Sequence, residues 1–385
     1  MLSFTWDHRP DMAVRGQMTH VVVRFEALGA TATRVTLVQD GWGEGPQWDE
    51  SYRYFDTAWQ AVLERFRASL ADSGSDDSSR KGRAPQQPDA RASGTDEVDL
   101  PRHELIFAHH ADAARADYDV WRMCGDGTQM ASLVSEPGRQ LQIAVSPDGD
   151  EFIYSSVTDG QSDLWLRRFD EKEAVNLTSN PAEDSQPAWG PDGRIAFFSD
   201  RDAEKLELYI LDPRDGSLRR MTENAFYESG AAWAPDGSAL VFTRYVPPPE
   251  GEEHGGRGEV IRLDPATGEE RPLTNHGGYN GGLSYSPDGR FITFHRTAEG
   301  GSELWIMEAD GSNPRPLTDT TIDEYSPEWS PDGRWIAFTA GVGNDSLGTF
   351  DVWIMRPDGS RRQVLNKAAN TEGWQKWRPG DHHCR

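Results

Sequence analysis

The chain has 385 residues, enough for about two or three domains. Its formal charge of −25 argues against a nucleic-acid backbone as partner, because phosphate binding needs clustered Lys and Arg. Two cysteines, Cys124 and Cys384, rule out a disulfide framework and fit a reducing compartment. The first residues (MLSFTWDHRP) lack the basic-then-apolar pattern of an export signal, and no apolar run reaches the length of a membrane span. The expectation is a cytoplasmic, acidic protein with no membrane span and no nucleic-acid partner. Fourteen Trp, 38 Gly and 24 Pro point to many short, aromatic-rich strands joined by tight turns.

Residues 1–72 read as a small α+β unit. Thr19–Phe25 and Thr33–Val38 alternate as two strands around a Gly-Ala-Thr turn. From about Asp56, Trp59, Val62, Leu63, Phe66 and Leu70 recur at helical spacing. Phe4-Thr5-Trp6, the hairpin, Gly41-Trp42 and the stretch from Trp59 to Leu70 resemble the C-terminal half of an SRPBCC (START-like) domain. The similarity is to the branch of the activator of heat-shock ATPase homologues. It implies a partial helix-grip fold, without the strand and short helices that would close that family's ligand cavity. Residues 73–97 are polar, charged and free of large apolar groups, the composition of a disordered linker.

From residue 98 onward the chain repeats. A Pro-Asp-Gly turn or close variant begins at Pro147, Pro191, Pro235, Pro287, Pro331 and Pro379, at intervals of 44, 44, 52, 44 and 48 residues. A second marker, an acid two residues before an aromatic or aliphatic side chain, keeps the same intervals: Asp119, Asp163, Glu207, Glu259, Glu303 and Asp351. Each unit reads as four strands: an inner aromatic strand, the tight turn, an apolar strand, the acid-bearing strand, and a last strand closing near Leu-Thr. The first acid-bearing strand has no turn strand before it, and the last turn has nothing after it. The first blade therefore borrows its inner strand from Trp374–Trp377, and the two ends of the chain interlock. The expected fold is an all-β, six-bladed β-propeller of four-stranded antiparallel blades over residues 98–385.

The Ser-Pro-Asp-Gly turn, the acidic strand marker and the Leu-Thr ending together resemble the TolB-like (WD40-like, PD40) propeller repeat, over about residues 103–380. The resemblance implies a propeller that binds a protein or ligand. The expected function is a non-catalytic scaffold acting through its loop face and channel mouth. The partner would be a protein, peptide or small ligand, favoured by the charge if basic. The alternative is a saccharide-cleaving propeller enzyme with a His-based site, like the oligogalacturonate lyases.

Five residues before each inner-strand aromatic position lie Gln140, Asp184, Glu228, Asn280, Glu324 and Glu372. They should ring the channel mouth, where they could gather a cation or basic group, or else cap their own between-blade loops. Tyr227, Tyr279 and Tyr325 sit beside three of them, and His276 and His295 approach the same face, with His109 and His110 from the first blade. No metal-ligand spacing, nucleophile elbow, P-loop or dinucleotide fingerprint occurs, so no cofactor and no catalytic residue is expected. The acids from Asp119 to Asp351 recur in every copy and read as scaffold. The insertion from Val246 to Arg257 and the Gly-rich loop from His276 to Gly282 are the main departures from the repeat.

Overall fold

The computed structural model describes the backbone of residues 2–6, 19–29 and 32–40, and residues 100–380 except 111–117, 159, 248–256, 276–277, 299–300, 321, 342–349 and 372. The chain divides into two compact units, the first holding residues 1–99 and the second nearly all of the rest.

In the first unit, β1 (Leu2–Trp6), β2 (Thr19–Gly29) and β3 (Ala32–Asp40) form an antiparallel sheet in that order. The β2–β3 ladder runs from His20 opposite Asp40 to Gly29 opposite Ala32, which is the expected hairpin. The helix expected from Asp56, Gly41-Trp42 and the linker lie outside the described residues. The partial SRPBCC reading gains nothing beyond three strands.

The second unit is all β among its described residues. Its strands follow the repeat. The first group is β4 (Glu104–His109), β5 (Asp119–Cys124) and β6 (Ala131–Val134), then β7 (Arg139–Val145), β8 (Glu151–Thr158), β9 (Gln161–Arg168) and β10 (Ala174–Asn176). Next come β11 (Asp184–Trp189), β12 (Ile195–Ser199), β13 (Glu207–Leu211) and β14 (Leu218–Arg220), then β15 (Tyr227–Trp233), β16 (Leu240–Val246), β17 (Arg257–Leu263) and β18 (Glu270–Pro272). The series ends with β19 (Tyr279–Tyr285), β20 (Phe291–Ala298), β21 (Gly301–Glu308) and β22 (Arg315–Pro316), then β23 (Asp323–Trp329), β24 (Ile336–Gly341), β25 (Phe350–Met355), β26 (Gln363–Thr371) and β27 (Lys376–Trp377).

Hydrogen bonding groups these strands into four sheets, not the six separate blades expected from the repeat count. β7–β10 and β11–β14 are four-stranded sheets, whereas β15–β22 form one sheet and β23–β27 with β4–β6 form another. The cause is local. At Gly258 a Cβ would lie 2.7 Å from the Tyr279 ring, so only glycine lets β19 close on β17. The two strands then pair in parallel at Gly258 and Tyr279, and the Gly258 N–H donates to Gly278 O at 3.1 Å. The other fused sheet is joined where Thr371 of β26 pairs with His109 of β4. The chain ends do meet: β27 pairs with β4, Lys376 opposite Ile106 and Trp377 opposite Leu105.

The repeated motifs have structural causes. In the Ser-Pro-Asp-Gly turn, Ser146 Oγ donates to Asp148 Oδ1 at 2.6 Å while accepting the Glu151 N–H at 2.9 Å. Gly149 sits at φ 76°, a conformation that a Cβ disfavours. Ser286 and Ser330 repeat both bonds. The Leu-Thr ending ties the last strand to the third: Thr178, Thr222, Thr274 and Thr318 each accept, on Oγ1, the backbone N–H of Leu164, Leu208, Val260 and Leu304 at 2.8–3.0 Å.

The core lies between successive repeat units. Leu208 and Phe198 pack on Trp233, Phe242 and Leu263, and Leu304 and Ile306 on Trp329 and Phe338. The circle closes where Leu105, Phe107 and Met123 meet Trp335, Val352, Ile354 and Trp377. A truncation such as Phe338→Ala removes about 3–5 kcal/mol from such an interface. Cys124 is disulfide-bonded, and Cys384, outside the described residues, is the only other cysteine in the chain.

Candidate functional site

The inner strands surround a cavity of about 200 Å³ on the loop side, away from the Pro-Asp-Gly turns. It continues into a second cavity of about 250 Å³, the two sharing Ala231, Leu283, Glu328 and Lys376 as lining. At the turn end this axial channel is lined by aromatic side chains, Trp189, Trp233, Tyr285, Trp329 and Trp377. Each indole that donates here does so across a repeat boundary: Trp233 Nε1 to Ala188 O and Trp377 Nε1 to Glu328 O, both 3.1 Å.

The residues expected to ring the mouth are instead buried and paired. Gln140, Asp184, Glu228, Asn280 and Glu324 are all 0% exposed, and Glu372 lies outside the described residues. Asp184 meets Arg201 at 2.7 Å, Glu228 meets Arg244 at 2.6 Å, and Glu324 pairs with Arg362. Asn280 accepts from Arg296 Nε at 2.9 Å and donates to Gly258 O at 2.6 Å. Arg201, just after β12, and Arg244 and Arg296, on β16 and β20, lie 16 or 17 residues beyond their partners, the distance set by one hairpin. The acids also bind their own loops: Asn180 donates to Asp184 at 2.6 Å, Asn224 to Glu228 at 2.9 Å and Thr320 to Glu324 at 3.3 Å, each from four residues earlier. Burial pushes the Glu228 and Glu324 carboxyls above the usual range, against the pull of the threonine hydroxyls and arginines. Paired in this way, these groups join the strands and present no free carboxylate to a cation. Gln140 lies opposite Ser156, where Glu228 and Asn280 lie opposite Arg244 and Arg296, and its amide finds no partner among the described residues.

A different ring faces the channel, two residues further on. Gln142, Gln186, Gly230, Gly282, Ser326 and Trp374 all have φ between 51° and 66° and occupy one position of the repeat. Each of the first five sits in the register break of its inner strand. The bulge turns one residue per repeat toward the axis. Sequence reasoning missed it because the side chains there share no chemistry. The only available signal was the period itself, continued two places past each buried acid.

The expected aromatic and histidine positions divide. Tyr279 lines the channel, with its hydroxyl 3.2 Å from Ser229 Oγ. Tyr227 is 40% exposed and lies opposite Tyr245, 38% exposed, at the loop end of β15 and β16. Tyr325 is half-buried, edge-on to His295 at 5.1 Å and to Phe350 at 5.7 Å. His295 lies between Tyr279 and Tyr325 in the channel wall, and burial lowers its pKa to about 4, so it is neutral. His109 is buried against Trp121 and His110 stacks near Tyr118, while His276 lies outside the described residues. Among the described residues, no three His, Cys, Asp or Glu side chains are grouped to hold a metal.

This fold, with aromatic-lined strands about an axial channel, defines a β-propeller. Residues 103–247 match the PD40 family, described as the TolB beta propeller domain, and the propeller is TolB-like. Among solved structures, TolB from Acinetobacter baumannii superposes with a TM-score of 0.61 and 23% identity, covering 72% of this chain and 67% of that one. A putative TolB from Agrobacterium tumefaciens gives 0.55 and 24%, covering 71% and 91%. By sequence, an uncharacterized Agrobacterium fabrum protein is 34% identical over 82 residues, 21% of this chain and 28% of its own. The Tol-Pal system protein TolB of Rhizorhabdus wittichii is 44% identical over 64 residues, 16% and 14% of the two chains. The chain thus spans less than a third of the length of these curated relatives. No helix among the described residues is long and apolar enough to cross a membrane.

Proposed function

We propose that this chain is a non-catalytic binding scaffold, a six-bladed TolB-like propeller that takes a protein or peptide partner at its loop face and channel mouth. Support for six blades comes from the six hydrophobic clusters, each formed between neighbouring repeat units. The single observation that carries the binding role is the channel on the loop side, lined there by uncharged polar groups together with the paired Glu328 and Lys376. Beside it stand exposed tyrosines, a residue type that contributes large contact area at little entropic cost. The TolB relatives are named for the Tol-Pal system, which makes a protein partner the leading class. The net charge favours a basic one.

The test is affinity capture with the full chain, comparing wild type with the triple variant Tyr227→Ala, Tyr245→Ala, Tyr279→Ala at matched thermal stability. Loss of the captured protein supports the loop face. Undiminished capture removes it from the binding surface.

A further inference from the structure

Part of the ring of left-handed residues carries a hydrogen-bond relay, two links long, that ends at Gly230. Gln142 Oε1 accepts the backbone N–H of Gln186 at 3.0 Å, and Gln186 Oε1 accepts that of Gly230 at 2.7 Å. Each glutamine thus reaches across to the next repeat and satisfies its bulge amide. At Gly230 the relay has no side chain to pass on. A Cβ built there meets nothing within 4 Å, so the position opens into the channel cavity. The next bulge amide is that of Gly282.

Gly282 is glycine for the opposite reason. A Cβ there would lie 2.8 Å from His295 Nδ1 and 2.9 Å from Ser326 Cα. His295 fills that space and takes over the acceptor role, with Nδ1 3.5 Å from the Ser326 N–H. The equivalent second-strand positions hold Ser155, Phe198, Thr243 and Thr339, so the imidazole occurs at this place in one repeat only among these five. One gap in the relay is therefore plugged by the protein itself, and the one at Gly230 is left open. The Ser229 and Tyr279 hydroxyls stand beside it, 3.2 Å apart and able to accept or donate.

We infer that the gap at Gly230 receives the side-chain carboxamide of a glutamine or asparagine from a bound peptide. Its oxygen takes the place of the missing ring glutamine toward the Gly282 N–H, and its NH2 meets the Ser229 and Tyr279 hydroxyls. The protein demonstrates the fit twice, at Gln142 and Gln186. A carboxylate of the same shape is excluded by charge: Lys376 in this channel is already paired with Glu328 at 2.7 Å, and the chain is strongly acidic.

The inference rests on the channel-mouth reading and is tested separately from it. The probe is N-acetyl-Gly-Gln-Gly-amide, with Glu and Leu counterparts, titrated into the 15N-labelled full chain. The glutamine peptide should shift the Gly230 and Gly282 amide resonances and bind at least roughly tenfold tighter than either counterpart. Gly230→Gln should abolish that binding by supplying the carboxamide internally. The substitution suits the backbone, since Gln142 and Gln186 hold φ 51° and 54° at the same place. Ser229→Ala, which leaves the bulge untouched, should weaken binding and serves if Gly230→Gln misfolds. Equal binding of the three peptides, unchanged binding in either variant, or no binding at millimolar concentration would overturn the site. Partner capture lost in the tyrosine variant but kept in Gly230→Gln would leave the scaffold standing and remove the carboxamide pocket.

Discussion

Arg244 joins two carboxylates, and removing it should cost far more than removing either of them. Its Nη2 lies 2.6 Å from the fully buried Glu228, and its two Nη atoms bracket the partly exposed Glu270 at 2.7 and 2.9 Å. In Arg244→Met, Glu228 keeps its bonds from Thr222 at 2.6 Å and Asn224 at 2.9 Å but loses its one ion-pair partner among the described residues. An uncompensated buried charge of this kind costs about 3–5 kcal/mol, a fall of roughly 6–20 °C in Tm for a domain of this size. Glu228→Gln leaves Arg244 paired with Glu270 and can retain the neutral hydrogen bonds, so its cost is nearer 1 kcal/mol. The pH dependence has a definite sign. Burial already raises the Glu228 carboxyl above 4.5, and the loss of Arg244 raises it further. The folded state then binds a proton that the unfolded state does not, so the Arg244→Met deficit should shrink as pH falls toward 4.5. Urea melts of the two single variants and the double variant, at pH 7 and pH 5, measure all of this. Equal losses in the two single variants, or a deficit independent of pH, would refute the buried-pair reasoning.

Three further outcomes follow from the channel wall and the chain ends. His295 is neutral when folded, with a pKa of about 4 against 6.5 when free, so the unfolded state alone binds a proton between those values. Stability should therefore drop by up to about 3 kcal/mol from pH 7 to pH 4 through this group, and His295→Ser should flatten that part of the profile in urea titrations. Gly282→Ala should cost about 1–3 kcal/mol because its Cβ meets the Ser326 backbone at 2.9 Å. Gly230→Ala, with open space around it, should cost less by the same assay. Cys124 should be unreactive toward alkylation in denatured, unreduced protein and reactive after reduction. Alkylation in intact cells before lysis also tests the proposed cytoplasmic residence, since a labelled Cys124 would mark a reducing compartment and a protected one an oxidising compartment.

The architecture was legible because each repeat spends several residues on the same local bonds. Ser146, Asp148 and Gly149 close a turn by contacts within five residues, so the motif appears in sequence as a fixed word. The meeting of the chain ends could be counted, and β27 against β4 realises it. The fusion of neighbouring units into shared sheets was not legible, since each depends on a single pairing, at Gly258 and Tyr279 or at Thr371 and His109. The acids of the expected ring were found with two roles open, gathering a cation or capping their own loops, and their bonds to Asn180, Asn224 and Thr320 are of the second kind. Their arginine partners sit 16 or 17 residues away in the hairpin or, for Arg362, 38 residues away on another strand, and charge counting alone does not reveal such pairs.

A propeller built from equivalent units starts with equivalent channel positions, and a binding site requires that equivalence to be broken. In the units of Gln142 and Gln186 the channel wall satisfies itself through the glutamine relay. In the next two units glycine replaces glutamine, histidine stands where three other units carry a hydroxyl residue, and Tyr279 enters the wall. The same arc holds the Tyr227–Tyr245 pair, the glycine that draws β19 onto β17, and the insertion from Val246 to Arg257. Independent decay of the repeat would scatter such changes around the ring. The ring position also varies at Ser326 and Trp374, but both glycines, His295 and Tyr279 fall on β15–β20, so the proposed ligand would meet one side of the channel.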